Sequence, residues 1–258
     1  MFTMIAAVLL VSFDPVALKA GEEPDSVRNT VVFLGKKDPS GKGIKPVGTG
    51  FLLASEKGVC LITARHVAKA LASDAPITLM LGEQTRTLEL TEISSTSPPN
   101  WVFAEKADVA ALKVKPPPEA PLHVFRRAQV LTSATTPTRE RPVTVFGFPL
   151  GLGASAFSPV SQTYYRASDI VLVTSDAFPM PAEYYLLDRP SIEGYSGSPV
   201  FQIPGHFSRG SAIVIRRDFA LVGLMVGTVS DKTGGKLAAV VPSKYIADLF
   251  DRVVTEKS

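Results

Sequence analysis

The stretch "SIEGYSGSPVF", residues 191–201, decides how the chain is read. It sets Ser196 between a tyrosine and a glycine, with a second glycine two positions earlier. One reading is a tight turn, because glycine and serine tolerate unusual backbone angles and hydrogen-bond locally. The other is a nucleophile loop, in which Gly194 and Gly197 let the backbone aim two N–H groups at one point while Ser196 presents its hydroxyl there. The stretch by itself leaves both open.

An activated serine needs a base, and the base needs an acid to hold its tautomer and stabilise the imidazolium. The chain has three histidines: His66, His123 and His206. His66, in "CLITARHVAKAL", ends an apolar run, where a side chain can lean into a cleft. His123 in "APLHVF" follows a proline-rich stretch and His206 in "IPGHFSRG" sits in a turn-like one, so both read as linker or surface residues. Asp108 heads the apolar run "DVAALKV", either as a solvated strand start or as a buried partner for an imidazole. Asp74, in "ASDAPI", is explained by turn chemistry.

Around these residues the text is one of short apolar runs cut by Gly, Pro, Ser and Asp. "NTVVFLG", "GTGFLLA", "GVCLITA", "APITLML" and "DVAALKV" read as strands, and a second set follows: "RPVTVFGFP", "SQTYYRASDIVLVT", "AEYYLLD", "SPVFQI", "GSAIVIRR", "ALVGLMVGTV" and "KLAAVVP". "KPPPEAP" (115–121) has few backbone donors and separates the two sets as a linker. Only a short turn after "TARHVAKAL" and the closing "PSKYIADLFDRVV" read as helical. The expected class is all-β: two antiparallel six-stranded barrels followed by a C-terminal helix. The divisions are 1–27 as an N-terminal segment, 28–115 and 138–241 as the barrels, 116–137 as the linker, and 242–258 as the helix and tail.

Composition narrows the function. The 258 residues are 45% hydrophobic and 20% charged, enough apolar surface for a sizeable core. The net charge of +3 is spread in ones and twos rather than gathered into a basic stripe, so no nucleic-acid partner is expected. The single cysteine, Cys60, cannot form an internal disulfide and reads as a buried strand residue. The histidines have no i, i+4 partner or cysteine cluster, so no metal is expected, and without phosphate-cradling glycine motifs neither is a cofactor. An apolar run from Met4 to Phe13 is too short to span a bilayer and resembles a signal-peptide core, although no Lys or Arg precedes it. Secretion or a periplasmic location is the expectation, with the cytoplasm as the alternative.

The order His66, Asp108, Ser196 makes the features reinforce one another. Histidine and aspartate fall in the first strand set and serine in the second, so a cleft between two barrels would collect them. That order separates the chymotrypsin arrangement from those of subtilisin and the α/β-hydrolases, and "GYSGS" lacks the second glycine of G-x-S-x-G. Seven stretches in sequence, "GTGFLL" (48–53), "LITARHV" (61–67), "DVAALKV" (108–114), "VFGFPLG" (145–151), "GYSGSPV" (194–200), "VGLMVGTV" (222–229) and "AAVVPSKYI" (238–246), make the chain resemble a trypsin-like serine peptidase. The likeness is to the bacterial, disulfide-free kind, close to the protease domains of the HtrA and V8-like groups and without a PDZ module.

The resemblance implies a serine endopeptidase acting on peptide or protein through an acyl-enzyme. Ser196 would be the nucleophile, His66 the general base and then acid, and Asp108 the orienting carboxylate. The backbone N–H groups of Gly194 and Ser196 would form the oxyanion hole. Pro190, Glu193, Val226, Gly227 and Thr228 would wall the substrate pocket; with proline rather than an acid at 190, a preference for Lys or Arg has no support. Tyr195 replaces the aspartate of the animal digestive enzymes, Ser198 stands where many relatives carry glycine, and Arg65, an unusual neighbour for the histidine, is expected to point to solvent. The alternatives are a related esterase, or a catalytically silent domain of the same fold that binds a peptide or protein. An α/β-hydrolase is disfavoured by chain order and by the scarcity of helices.

Overall fold

The computed structural model describes residues 27–256 other than 42, 118–119, 133–138, 140, 175–180, 204, 210–211 and 217–218. The signal-peptide-like run therefore lies outside the described residues. The first sheet is built from β1 (Val31–Lys37), β2 (Ile44–Ser55), β3 (Gly58–Thr63), β4 (Pro76–Leu81), β5 (Gln84–Glu89), β6 (Trp101–Phe103) and β7 (Ala110–Val114). Its order is β5-β4-β1-β2-β3-β7-β6, and a two-residue strand, β8 (Phe125–Arg126), pairs parallel to β2. The second sheet uses β9 (Pro142–Gly147), β10 (Val160–Tyr165), β11 (Val171–Val173), β12 (Ala182–Leu187), β13 (Pro199–Gln202), β16 (Ala220–Ser230) and β17 (Lys236–Pro242), in the order β10-β9-β13-β16-β17-β12-β11. Between β13 and β16, β14 (Gly205–Arg209) and β15 (Ala212–Arg216) form a separate hairpin. This is the chymotrypsin-like two-barrel arrangement.

The sheets carry eight and seven strands rather than six apiece. Within these two sheets, the strands that the sequence does not announce are all in the first: β5, largely exposed, and β6 and β8, whose three and two residues are too few for a period-two pattern to register. By contrast β1 and the centre of β2 are continuous apolar runs because both of their faces are covered, as the buried Val31–Leu34 and Phe51–Ala54 show.

The longer helical elements are α1 (Arg65–Ala70), α2 (Leu90–Ile93) and α3 (Ser243–Thr255), with 3-10 turns at Arg127–Gln129 and Pro149–Gly151. In α3, Ile246, Leu249, Phe250 and Val253 recur at helical spacing and are buried, each of the larger ones contributing about 1.5–3 kcal/mol by leaving water. The helix packs on β3 and β7 of the first sheet and on β16 and β17 of the second. Its polar side is tied to both as well: Arg252 donates to the Phe103 carbonyl at 2.8 Å, and Lys244 and Tyr245 reach Glu183 at 2.6 and 2.7 Å. The largest core cluster runs through both sheets, with Phe33 edge-on to Phe148 at 5.6 Å, so the barrels are one packed unit.

Candidate active site

Strand pairing explains how distant residues meet. In the antiparallel β3–β7 pair Thr63 lies opposite Ala110. The chain that leaves β3 and the chain that enters β7 therefore emerge at the same sheet end, carrying His66 and Asp108. Asp108 is fully buried, while the His66 side chain is 36% exposed. Both carboxylate oxygens are used: Oδ1 accepts the His66 backbone N–H at 3.0 Å, and Oδ2 lies 2.6 Å from His66 Nδ1. An ionised carboxylate only accepts, so Nδ1 carries the ring proton and Nε2 is left as the acceptor.

Ser196 arrives from the second sheet. It precedes β13, whose Pro199 pairs with Leu224 of β16, and this register brings the loop against the strand just beyond that point. There the Ser196 hydroxyl donates to the Val226 carbonyl at 3.0 Å rather than to His66. The two glycines that frame the serine are dictated by backbone: Gly194 has φ +96° and Gly197 φ +87°. A Cβ at 194 would stand 2.5 Å from the Phe148 carbonyl oxygen, and one at 197 only 2.0 Å from that of Thr49. The loop is thus a turn by geometry and also a presenter of N–H groups. Tyr195, Gly197 and Ser198 donate to Ile192, Met225 and Tyr195 carbonyls at 3.0, 2.7 and 2.9 Å. The N–H groups of Gly194 and Ser196 have no acceptor among the described residues.

The residues singled out for the pocket lie in two segments joined by one side chain. The Thr228 hydroxyl accepts the Ser191 N–H at 2.9 Å and donates to the Ser191 carbonyl at 3.2 Å, linking β16 to the Pro190–Glu193 segment. Pro190 and Glu193 are exposed, Gly227 and Thr228 are half-buried, and Val226 is buried. The Glu193 carbonyl accepts the Leu150 N–H at 2.7 Å.

Tyr195 is fully buried in the second-sheet core with its hydroxyl on the Val160 carbonyl at 3.3 Å, and burial pushes its ionisation up. Ser198 fits because position 147 is glycine: a Cβ there would lie 2.2 Å from its Oγ, which is buried with no hydrogen-bond partner among the described residues. Arg65 does not point to solvent as expected. Its guanidinium lies 5.3 Å from the Phe103 ring centre and donates to the Ala104 carbonyl at 3.3 Å, since a planar cation gains from an aromatic face. Cys60 is buried in β3 with its thiol pushed up to about 12 by burial. His123 Nε2 bonds the Gly82 carbonyl at 2.6 Å, Asp74 pairs with Lys37 at 2.7 Å on the surface, and the side chain of His206 is outside what is described. Among the described residues no three His, Cys, Asp or Glu gather as a metal site. One functional candidate escaped sequence reasoning: Thr49, read there only as part of a strand, bonds the serine loop from the opposite barrel.

The two-barrel fold thus carries a His66–Asp108 pair at one end of the first sheet and a glycine-framed Ser196 loop ahead of β13 on the second. The family model of the trypsin-like peptidase domain matches residues 48–207, and the chain belongs to that family. Among solved structures it is similar to the HtrA-type protease AlgW with a tripeptide, with a TM-score of 0.56 and 14% identity over 88% of this chain. That likeness is one of fold, and the match spans 60% of the AlgW chain. No curated protein matches the chain in sequence.

Proposed function

We propose that the chain is a serine endopeptidase that hydrolyses peptide bonds through an acyl-enzyme on Ser196. The observation that carries this reading is the pair of N–H groups at Gly194 and Ser196 without an acceptor among the described residues, on the loop that bears the Ser196 hydroxyl, while the first barrel supplies a carboxylate-anchored imidazole. In the first step Ser196 Oγ bonds to the substrate carbonyl carbon and its proton passes to His66 Nε2. The charge that develops on the imidazole faces the buried Asp108 carboxylate, and that on the carbonyl oxygen faces the two N–H donors. Collapse breaks the C–N bond, and the departing amine takes the proton from Nε2. Water then attacks the Ser196 ester and gives a proton to the same nitrogen; the bond between Oγ and the carbonyl carbon breaks, Oγ takes that proton back from Nε2, and the acid is released.

The Ser196 hydroxyl must first leave the Val226 carbonyl and turn toward Nε2. One hydrogen bond is exchanged for another, a net difference of about 0.5–1.5 kcal/mol, small against a catalytic barrier. The same Ser196–Val226 bond is what favours the second reading, a silent domain that binds peptides without turning them over. Peptide or protein is the substrate class under either reading. Export, with a cytoplasmic setting as the alternative, rests on the apolar run of residues 4–13 alone.

Incubation of the protein and of Ser196→Ala with β-casein, followed by mass spectrometry of the products, separates the readings. The endopeptidase reading expects internal fragments whose summed masses exceed the parent by one water per cut, and none from Ser196→Ala. Intact casein with both proteins, or the same fragments from both, overturns it.

A further inference from the structure

The donor pair at Gly194 and Ser196 depends on how four successive peptide planes are turned. An N–H lies opposite the carbonyl of its own plane, so whatever fixes the carbonyl aims the N–H. All four carbonyls of the loop are fixed. Glu193 accepts from Leu150 N–H at 2.7 Å and Tyr195 from Ser198 N–H at 2.9 Å, which are the planes that carry the Gly194 and Ser196 N–H groups. The other two carbonyls are both held by Thr49 of the first barrel: Gly194 accepts from Thr49 Oγ1 at 2.8 Å and Ser196 from Thr49 N–H at 2.9 Å. Thr49 Oγ1 also accepts the Phe148 N–H at 3.0 Å, and the Thr49 carbonyl accepts from Thr63 Oγ1 at 2.7 Å. The residue is fully buried. Among the described residues, it is the only one outside the loop whose side chain bonds the backbone of 193–197; every other bond there is backbone to backbone.

We propose that Thr49 is a positioning residue for the peptidase reaction, resting on the endopeptidase reading above: its hydroxyl fixes the loop in the orientation that leaves the Gly194 and Ser196 N–H groups free. One hydroxyl does two jobs. It gives its single proton to the Gly194 carbonyl and offers a lone pair to Phe148 N–H, so the segment that leaves β9 and the serine loop are set relative to each other through the first barrel. Removing it leaves one buried donor and one buried acceptor unpaired. The nearest relief is rotation of the Gly194–Tyr195 plane, which carries its neighbours with it and spoils the donor pair.

The test uses the phosphonylation of Ser196 by a fluorophosphonate, in which Oγ displaces fluoride and the phosphoryl oxygen occupies the position that the two N–H groups face. Thr49→Val keeps the shape and loses the hydroxyl, Thr49→Ser keeps the hydroxyl, and Thr30→Val is a control. Thr30 is equally buried and donates to the Val27 carbonyl at 2.7 Å in the segment that leads into β1. Thr49→Val is expected to lower the limiting labelling rate about 10- to 100-fold with little change in half-saturating reagent, and Thr49→Ser to stay within about threefold. Thr30→Val is expected to lower the melting temperature as Thr49→Val does but to label at the parent rate. If Thr49→Val does not fold, Thr49→Ala carries the same comparison. Equal rates for Thr49→Val and the parent, or equal losses in Thr49→Val and Thr49→Ser, overturn the role of the hydroxyl while leaving the endopeptidase reading in place. A parent protein that takes no label overturns both.

Discussion

Gly194→Ala isolates the donor geometry from the rest of the site. The added Cβ would stand 2.5 Å from the Phe148 carbonyl oxygen and 2.9 Å from the Leu150 nitrogen, at a φ of +96°. Both neighbours are backbone atoms, so no side chain can rotate away. A non-glycine residue in left-handed backbone costs about 1–2 kcal/mol before any contact is counted. The least disruptive relief is to turn the Glu193–Gly194 plane, which breaks the 2.7 Å Leu150–Glu193 hydrogen bond and aims the Gly194 N–H away from the reacting carbonyl. Loss of one such donor lowers the rate about 10²- to 10³-fold, equivalent to about 2.7–4 kcal/mol. The assay is the initial rate of β-casein cleavage alongside a circular dichroism melt, where about 1–2 kcal/mol lowers the transition of a chain this size by several degrees. A folded Gly194→Ala protein that cleaves within about threefold of the parent would refute the assignment of that N–H to the oxyanion hole.

Three further outcomes follow from the same contacts. Asp108→Asn offers an amide N–H₂ to His66 Nδ1, which must then accept, so the ring proton moves to Nε2 and the base is lost; casein cleavage should fall about 10⁴-fold with the far-ultraviolet spectrum unchanged. Ser198→Ala removes a buried hydroxyl that has no partner among the described residues and should raise stability by about 1 kcal/mol in urea titration, whereas a loss of that size would mean that the hydroxyl has a partner after all. Tyr164, Tyr184, Tyr185 and Tyr195 are fully buried, and burial pushes their phenols above the ordinary 10.0, Tyr164 to about 12. The unfolded chain releases these protons first, so their contribution is complete below about pH 10 and is lost as pH rises toward the folded values, by about 1.4 kcal/mol per pH unit for each tyrosine. Urea midpoints that stay level from about pH 9 to about pH 12 would contradict that.

What was legible in the sequence was what repeats or what is chemically rare. The apolar runs of β1, β2, β3, β7, β16 and β17 announce themselves because they are buried on both faces, and α3 because its apolar residues recur at helical spacing. β5 did not, since "QTRTLE" is exposed along four of its six residues and carries no apolar alternation. His66, Asp108 and Ser196 could be picked out as a set by residue type and order. The hydroxyl of Thr49 could not, because a threonine in a strand is ordinary and its partner is 145 residues away. Nor could the resting position of the Ser196 hydroxyl on Val226, or the seat of Arg65 on Phe103, which depend on rotamers chosen by neighbours from other strands.

That Ser196 is a nucleophile activated by His66 is tested by treating the protein with a fluorophosphonate and locating the adduct by peptide mapping. One adduct is expected, on Ser196, absent from Ser196→Ala and strongly slowed in His66→Ala, because the imidazole takes the hydroxyl proton. No adduct, or one that forms equally fast in His66→Ala, would contradict the activated nucleophile.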